Sequence, residues 1–152
     1  MPSTLTVPEG FAYVPAALVS TLFLLYGQTA AVSKHRRLAK IAYPRLYADN
    51  AEMAASPAAV KFNCVQRAHQ NTIENLAQIY MMTVVLGLTR PKLAAAGLAS
   101  WVVSRVFYTI GYASGTPAKR NGPLVNTFYF SGVAVLVFGS MYSAFELVSA
   151  GI

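Results

Sequence analysis

The sequence predicts an all-α integral membrane protein, a four-helix bundle in which every long helix crosses the bilayer. Composition is the first reason, because 55% of the 152 residues are apolar and only 11% are charged. A soluble domain is about 45–50% apolar and about 25% charged. The mean hydropathy of +0.46 agrees. So few polar groups cannot cover a soluble domain of this size, and the length predicts a single domain over residues 1–152.

Four long apolar runs are the second reason, since about 20 mainly apolar residues span the hydrocarbon core. The first run carries no charge, and the third carries one, Arg105. The first half of the second run carries Arg67, His69 and Glu74. The predicted spans are residues 11–33, 62–89, 93–115 and 123–146.

The connections predict how the helices are arranged. Arg90-Pro91-Lys92 is too short to join the second and third spans except as an antiparallel hairpin. Basic residues concentrate in the long connection 34–61 and after the third span. The positive-inside rule therefore predicts that these two connections are cytosolic and that both termini lie on the other side. A cleaved signal peptide is disfavoured for the first span, because the span is long and lacks a basic start.

The net charge of +7 does not indicate a nucleic-acid partner. The basic residues form short clusters between apolar runs, which is the pattern of membrane loops. With two histidines, one cysteine and no cluster of them, no metal site is predicted. No Ser-His-Asp set, P-loop or dinucleotide-binding glycine motif is present.

Two polar stripes are predicted on the helices of the hairpin, because residues three or four apart share one helix face. Charges inside the bilayer cost about 2.5–3.5 kcal/mol or more each, so such stripes are expected to face a site. Their juxtaposition predicts a polar pocket near the cytosolic interface. The stripes comprise Arg67, Asn71, Glu74 and Gln78 in the second span, and Arg105, Tyr108 and Tyr112 in the third.

Four basic residues from the connections, Arg36, Arg37, Lys119 and Arg120, are expected to cap this pocket. A structural ion pair between the arginine and the glutamate of the second span is one interpretation, and an interfacial belt is an alternative for the tyrosines. One glutamate cannot neutralise so many cations. A cavity with net positive charge predicts an anionic ligand.

Two runs resemble the membrane-associated eicosanoid and glutathione metabolism (MAPEG) family. The first is FNCVQRAHQNTIE at residues 62–74, and the second is SRVFYTIGYASGTPAKR at residues 104–120. The pattern R-A-H-x-N-x-x-E together with R-x-x-Y-x-x-x-Y is specific, and the resemblance covers nearly the whole chain in order. Within the family, the runs are most similar to the type-3 microsomal glutathione S-transferases.

The resemblance implies a homotrimer in the endoplasmic reticulum membrane. It also implies that glutathione, as co-substrate, binds between adjacent subunits near the cytosolic face. The implied activity is transfer of glutathione to lipophilic electrophiles, with glutathione peroxidase or cysteinyl-leukotriene synthase activity as alternatives. A further alternative is a non-catalytic lipid-binding or scaffold member of the same fold. A channel is disfavoured because the polar stripes stop partway along the spans.

The resemblance also implies individual roles around glutathione. Arg67 and Asn71 are expected to hold carboxylate or backbone groups of the tripeptide, and Glu74 its α-amine. The far wall is expected to consist of Arg105, Tyr108 and Tyr112.

Two further roles are implied for the capping residues. Arg36, or the adjacent Arg37, is expected to reach a carboxylate from the neighbouring subunit. Arg120 or Lys119 is expected to stabilise the glutathione thiolate. Arg120 is favoured, because a guanidinium stays charged and offers a fork of donors.

Overall fold

The computed structural model describes residues 7–151, and every regular element in this part of the chain is helical. The predicted all-α class is therefore confirmed. The helices are α1 (Tyr13–Ala39), α2 (Asn50–Ala55), α3 (Pro57–Gly87), α4 (Pro91–Tyr112) and α5 (Pro123–Ser149), with a 3-10 helix at Pro117–Arg120.

Among the described residues, three helices, α1, α4 and α5, are long and apolar enough to cross a membrane. Such helices make the chain a multi-pass membrane protein. The helix α3 is 31 residues long but is not one of the three. Its first half carries the predicted polar stripe, which lowers its hydropathy, so its crossing of the bilayer remains a prediction.

The first two long helices extend beyond the predicted spans. The helix α1 continues to Ala39 rather than residue 33. Its last turns are charged, so they can extend beyond the hydrocarbon core without leaving the helix. Lys40 ends the helix in a left-handed conformation, with φ of 56°, and its backbone N–H returns to the carbonyls of Arg36 and Arg37. The helix α3 begins at Pro57 rather than residue 62, with proline in its first turn, where no backbone donor is lost.

The antiparallel pair α3 and α4 forms the centre of the bundle, and α1 and α5 pack against it from opposite flanks. Trp101, Leu98, Leu86 and Leu136 are fully buried between the helices. Glycine allows α4 and α5 to approach closely. A Cβ on Gly132 would lie 2.8 Å from the carbonyl oxygen of Gly97.

The bundle has two chemically different ends. The loop end contains the C-termini of α1 and α4, the N-termini of α3 and α5, and the connection with α2. The turn end contains the Thr89–Arg90 turn and the C-terminus of α5. Between them, large apolar side chains such as Phe23, Phe138 and Phe145 are about 70% exposed (75%, 70% and 69%), as expected of surfaces that face lipid or another subunit.

Candidate functional site

The polar stripe of α3 begins at the loop end with an ion pair. Arg67 Nη1 lies 2.8 Å from Glu74 Oε1, about two helical turns further along the same helix. The predicted structural pair therefore forms. Both side chains remain more than 40% exposed (44% and 43%), so both are accessible to a ligand.

Arg105 lies at the centre of the site, on α4, and only 4% of its surface is exposed. Its Nη1 donates a hydrogen bond of 2.8 Å to Oδ1 of Asn71 on α3. Its Cζ lies 4.1 Å from the ring centroid of Tyr108 and 5.4 Å from that of Tyr129 on α5. Its Nε is buried and has no hydrogen-bond partner in the part of the chain that the structure describes. The structure thus holds a buried cation between aromatic rings and leaves one of its donors unused.

A row of rings connects this cation to a second one. The rings of Tyr108 and Tyr112 meet edge to face, with centroids 5.6 Å apart. Arg120 Cζ lies 5.6 Å from the Tyr112 ring centroid, and its Nη1 donates to the carbonyl of Pro117 at 2.8 Å. The row therefore runs Arg105, Tyr108, Tyr112, Arg120. We call it the cation–ring row.

A glycine sets the position of the 3-10 helix that carries Arg120. This helix folds back on the end of α4 so closely that a Cβ on Gly111 would lie 2.2 Å from the carbonyl oxygen of Lys119. Only glycine fits at such an approach. The Lys119 side chain is exposed, whereas that of Arg120 is half-buried and lies against Tyr112.

Two clefts flank the cation–ring row. The loop cleft, of about 400 Å³, lies between the connection and α3, with Arg67 and Tyr112 in its wall. The amide cleft, of about 330 Å³, lies deeper, between α3, α4 and α5. Its polar wall consists of Asn71, Asn75, Arg105, Asn121, Asn126 and Tyr129.

The strap, residues 41–49, contributes Tyr47 to the loop cleft and is tied to α3. Asn63 accepts a hydrogen bond of 2.8 Å from the Ala48 backbone N–H and donates one of 2.9 Å to its carbonyl. Tyr47 donates its hydroxyl hydrogen to Oε1 of Gln70 and lines the cleft beside Arg67. Burial raises the pKa of Tyr47, an effect that the charge of Arg67 partly opposes. The phenol therefore stays protonated and able to donate.

The short helix α2 holds the C-terminal end of the strap in place. Asp49 caps it by accepting a hydrogen bond of 2.8 Å from the Glu52 N–H, and the Glu52 side chain accepts one of 2.9 Å from the Asp49 N–H. Arg45 binds the Glu52 carboxylate with both of its terminal nitrogens. Hydrogen bonds from Arg45 and from the Asp49 backbone lower the pKa of Glu52 to about 2, so this carboxylate is ionised at any physiological pH.

Arg36 is placed differently from the prediction. Instead of capping the pocket, its side chain is 6% exposed and lies beneath the strap. Its Nη1 donates to the Arg45 carbonyl at 2.6 Å, and its Cζ lies 4.3 Å from the ring of Tyr43 and 4.6 Å from that of Phe62. The adjacent Arg37 is exposed. The strap contacts that bury Arg36 join it to residues 43 and 45, which lie beyond the end of α1, so helix periodicity gave no sign of them.

The structure brings seven of the ten predicted site residues together in one connected region: Arg67, Asn71, Glu74, Arg105, Tyr108, Tyr112 and Arg120. Arg36, Arg37 and Lys119 lie outside it. Sequence reasoning missed Asn121, Asn126 and Tyr129 as cleft residues. The signal for Asn121 and Asn126 was the presence of amides beside the start of an otherwise apolar span, whereas nothing in the sequence marked Tyr129.

The charges in this region are unbalanced. The chain has five acidic residues, and each lies within 4.0 Å of a basic side chain. None of those ion pairs includes Arg36, Arg105 or Arg120. Among the described residues, both cations of the cation–ring row therefore lack an acidic partner, which favours an anionic ligand.

A comparison with family models gives one finding. The model of the MAPEG family matches residues 14–142, from the start of α1 nearly to the end of α5. The match includes both clefts, the cation–ring row and the strap.

Proposed function

The chain belongs to the MAPEG family, and we propose that it is a membrane glutathione transferase most similar to the type-3 microsomal enzymes. It joins the glutathione thiolate to lipophilic electrophiles or uses it to reduce lipid hydroperoxides. The observation that carries the proposal is the cation–ring row, in which two arginines without acidic partners flank two phenols beside an open cleft.

Glutathione fits the charges of the polar stripe of α3, which borders both clefts. It has two carboxylates, one amine and one thiol, and its net charge at neutral pH is negative. The exposed Arg67–Glu74 pair offers both signs of charge at 2.8 Å. In the proposed complex this internal pair is exchanged for two ligand contacts. Glu74 accepts from the α-amine, while Arg67 and Asn71 donate to carboxylate or backbone groups.

The remaining binding residues are proposed from their positions. Arg105, Tyr108 and Tyr112 form the far wall, where phenol and guanidinium donors meet. Of the two arginines considered for the neighbouring subunit's glutathione, Arg37 is the better candidate, because its side chain is exposed whereas that of Arg36 is buried.

Arg120 is the proposed catalytic residue. A thiol has an ordinary pKa of about 8.5, and a nearby cation in a poorly solvated site favours the thiolate. The thiolate sulfur attacks an electrophilic carbon, and the leaving group departs with the displaced electron pair. With a hydroperoxide, sulfur takes the terminal oxygen, the alkoxide takes a proton, and a second glutathione completes reduction to alcohol, water and disulfide. Lys119 is the alternative, although its side chain is exposed.

The assembly is also a proposal. We place four crossings in the endoplasmic reticulum membrane, with α3 as the fourth, and three subunits around glutathione sites. The support is that the polar stripe of α3 stays largely exposed in a single chain, since Arg67 and Glu74 are 44% and 43% accessible. A neighbouring subunit would cover such a stripe and keep it from lipid.

The test uses purified protein in detergent. Glutathione is added, and thiolate formation is followed by ultraviolet absorbance. Glutathione-dependent consumption of chlorodinitrobenzene and of cumene hydroperoxide is then measured. We expect thiolate formation and turnover of at least one of the two. Glutathione binding without turnover would favour a non-catalytic member of the fold, and an absence of binding would refute the proposal.

A further inference from the structure

We propose that the loop cleft is a binding site for a second glutathione, the one that completes the reduction of a lipid hydroperoxide. This inference rests on the proposed function and deepens it, because it gives the two glutathiones of the peroxidase reaction separate places in the protein. The observations that carry it are the two clefts beside the cation–ring row, the side chains in their walls and the charges around the loop cleft.

The peroxidase reaction uses two thiols in sequence. The first thiolate takes the terminal oxygen of the hydroperoxide, which leaves a sulfenic acid on glutathione and, after uptake of a proton, the lipid alcohol. The second thiol attacks the sulfenic sulfur. A disulfide bond forms, the S–O bond breaks, and the hydroxyl leaves as water with the thiol proton. Conjugation consumes only one thiol, so a second subsite would serve the peroxidase reaction alone.

The two clefts lie at opposite ends of the proposed first glutathione site. Asn71 and Arg105, which are proposed to hold the first glutathione, line the amide cleft, whereas Arg67 and Tyr112 line the loop cleft. The first glutathione therefore extends from Arg67 along the polar stripe toward the amide cleft. Its thiolate, stabilised in the proposed mechanism by Arg120 beside Tyr112, then lies at the border of the loop cleft.

The loop cleft has the size and the wall of a small-ligand site. Its volume is about 400 Å³, and ligand pockets usually measure about 300–1,000 Å³. Met53, Val60 and Pro117 form its apolar wall, and Arg67 contributes a cation whose side chain is 44% exposed. Among the residues that the structure describes, no carboxylate lines this cleft. The cleft therefore favours a small anionic ligand.

Two lysines adjoin the lining residues of the loop cleft. Lys61 follows Val60 on α3, and a Cβ on Gly115 would lie 3.7 Å from its Cβ. Lys119 is exposed on the 3-10 helix that begins with Pro117. Within residues 7–151, neither lysine belongs to an ion pair. Such positive charge raises the local concentration of a soluble anion, which describes glutathione and not a lipid hydroperoxide that arrives from the bilayer.

The experiment narrows the loop cleft from two walls, with Val60→Phe and Met53→Phe. The matched control is Ala54→Phe, which adds the same ring at an exposed position of α2 outside the cleft. Purified protein in detergent is assayed for conjugation of chlorodinitrobenzene and for reduction of cumene hydroperoxide at limiting glutathione. Dimedone, which traps sulfenic acids, is added in a parallel peroxidase assay, and the glutathione adduct is measured by mass spectrometry.

In both narrowed variants we expect the peroxidase rate to fall about 10-fold and the trapped adduct per turnover to rise about 5-fold, with conjugation within about twofold of wild type. Ala54→Phe should match wild type. If one narrowed variant loses its helical circular dichroism, the other carries the test.

Three results would overturn the second site. Equal losses of both activities in a folded variant would assign the loop cleft to the first glutathione. Unchanged peroxidase rate and dimedone trapping would mean that the second thiol reacts elsewhere. A wild-type protein that conjugates but reduces no hydroperoxide would have no use for the site, although the transferase function would stand. Absence of glutathione binding in wild type would instead refute the proposed function itself.

Discussion

The two ends of the bundle differ in whether their arginines have a carboxylate partner. At the turn end, Arg90 binds the Glu146 carboxylate through both terminal nitrogens, at 2.5 and 2.9 Å, and Lys92 lies 3.6 Å from Glu9. At the loop end, Arg105 and Arg120 contact rings, amides and carbonyls but no acidic side chain within the described residues 7–151. Arg90 is thus fully paired at the turn end, whereas the loop end holds both paired arginines, Arg45 and Arg67, and two that carry uncompensated charge.

The difference separates structural charge from charge that awaits a ligand. A bidentate arginine–carboxylate pair satisfies both partners and fastens α5 to the turn after α3. A buried cation with an unused donor is unfavourable for the empty protein, and it is tolerated where a ligand supplies the missing anion.

The largest expected effect comes from replacing the buried cation, with Arg105→Met. A methionine of similar length fills the space, and an apolar side chain is cheaper to bury than an unpaired charge, so the fold should persist. Loss of a charged donor is worth about 1.5–3 kcal/mol, so we expect the glutathione Kd to rise about 10- to 100-fold. The measurement is equilibrium binding on purified protein. A Kd close to that of wild type would mean that Arg105 is a structural residue like Arg90.

The second prediction concerns the other end of the cation–ring row. In Arg120→Ala the bound thiol should return toward its ordinary pKa of about 8.5, which lowers kcat about 10-fold at neutral pH. Because the thiolate reacts, activity should recover as the pH rises, and the inflection of the pH–rate profile should move upward. Glutathione Kd should change little. A normal profile in Arg120→Ala with an altered one in Lys119→Ala would transfer the role to Lys119.

The positions of the site residues could be predicted where their contacts are local in the sequence, and could not be predicted where the contacts join distant parts of the chain. The stripe of Arg67, Asn71 and Glu74 follows from helical periodicity, and the short turn after α3 was enough to predict its pairing with Arg105. The position of α5, the last long helix, was harder to predict. The register of Tyr129 against Arg105 depends on the close approach of α4 and α5 at Gly132. No local pattern encodes that approach.

The strap was beyond prediction for the same physical reason. The sequence indicated only a long basic connection, whereas its conformation depends on pairs such as Arg36 with Arg45 and Asn63 with Ala48. Such contacts are decided by which side chains meet after the helices pack. The basic residues of that connection were therefore indistinguishable in the sequence, although the structure buries one of them, Arg36.

A smaller effect is expected from glycine replacement beneath the catalytic turn. Gly111→Ala would place a Cβ 2.2 Å from the Lys119 carbonyl, so the 3-10 helix must shift and move Arg120. We expect kcat to fall roughly threefold to tenfold, with a smaller change in glutathione Kd. The matched control is Gly27→Ala on α1, where a Cβ meets nothing within 4 Å. Equal activity of the two variants would show that the position of this turn does not matter.

The smallest effect on the glutathione site is expected from the turn end, with Arg90→Met and Glu146→Gln. The pair is partly exposed, with 38% and 36% of the side chains accessible, and an exposed ion pair stabilises a fold little, so each variant should lose only a small part of the stability. Thermal inactivation should occur a few degrees lower, while glutathione Kd and kcat stay at wild-type values. The double variant removes both partners and should lose less than the sum of the two single losses. A change in Kd as large as that in Arg105→Met would end the distinction between the two ends, because paired charge would then matter to the site as much as unpaired charge does.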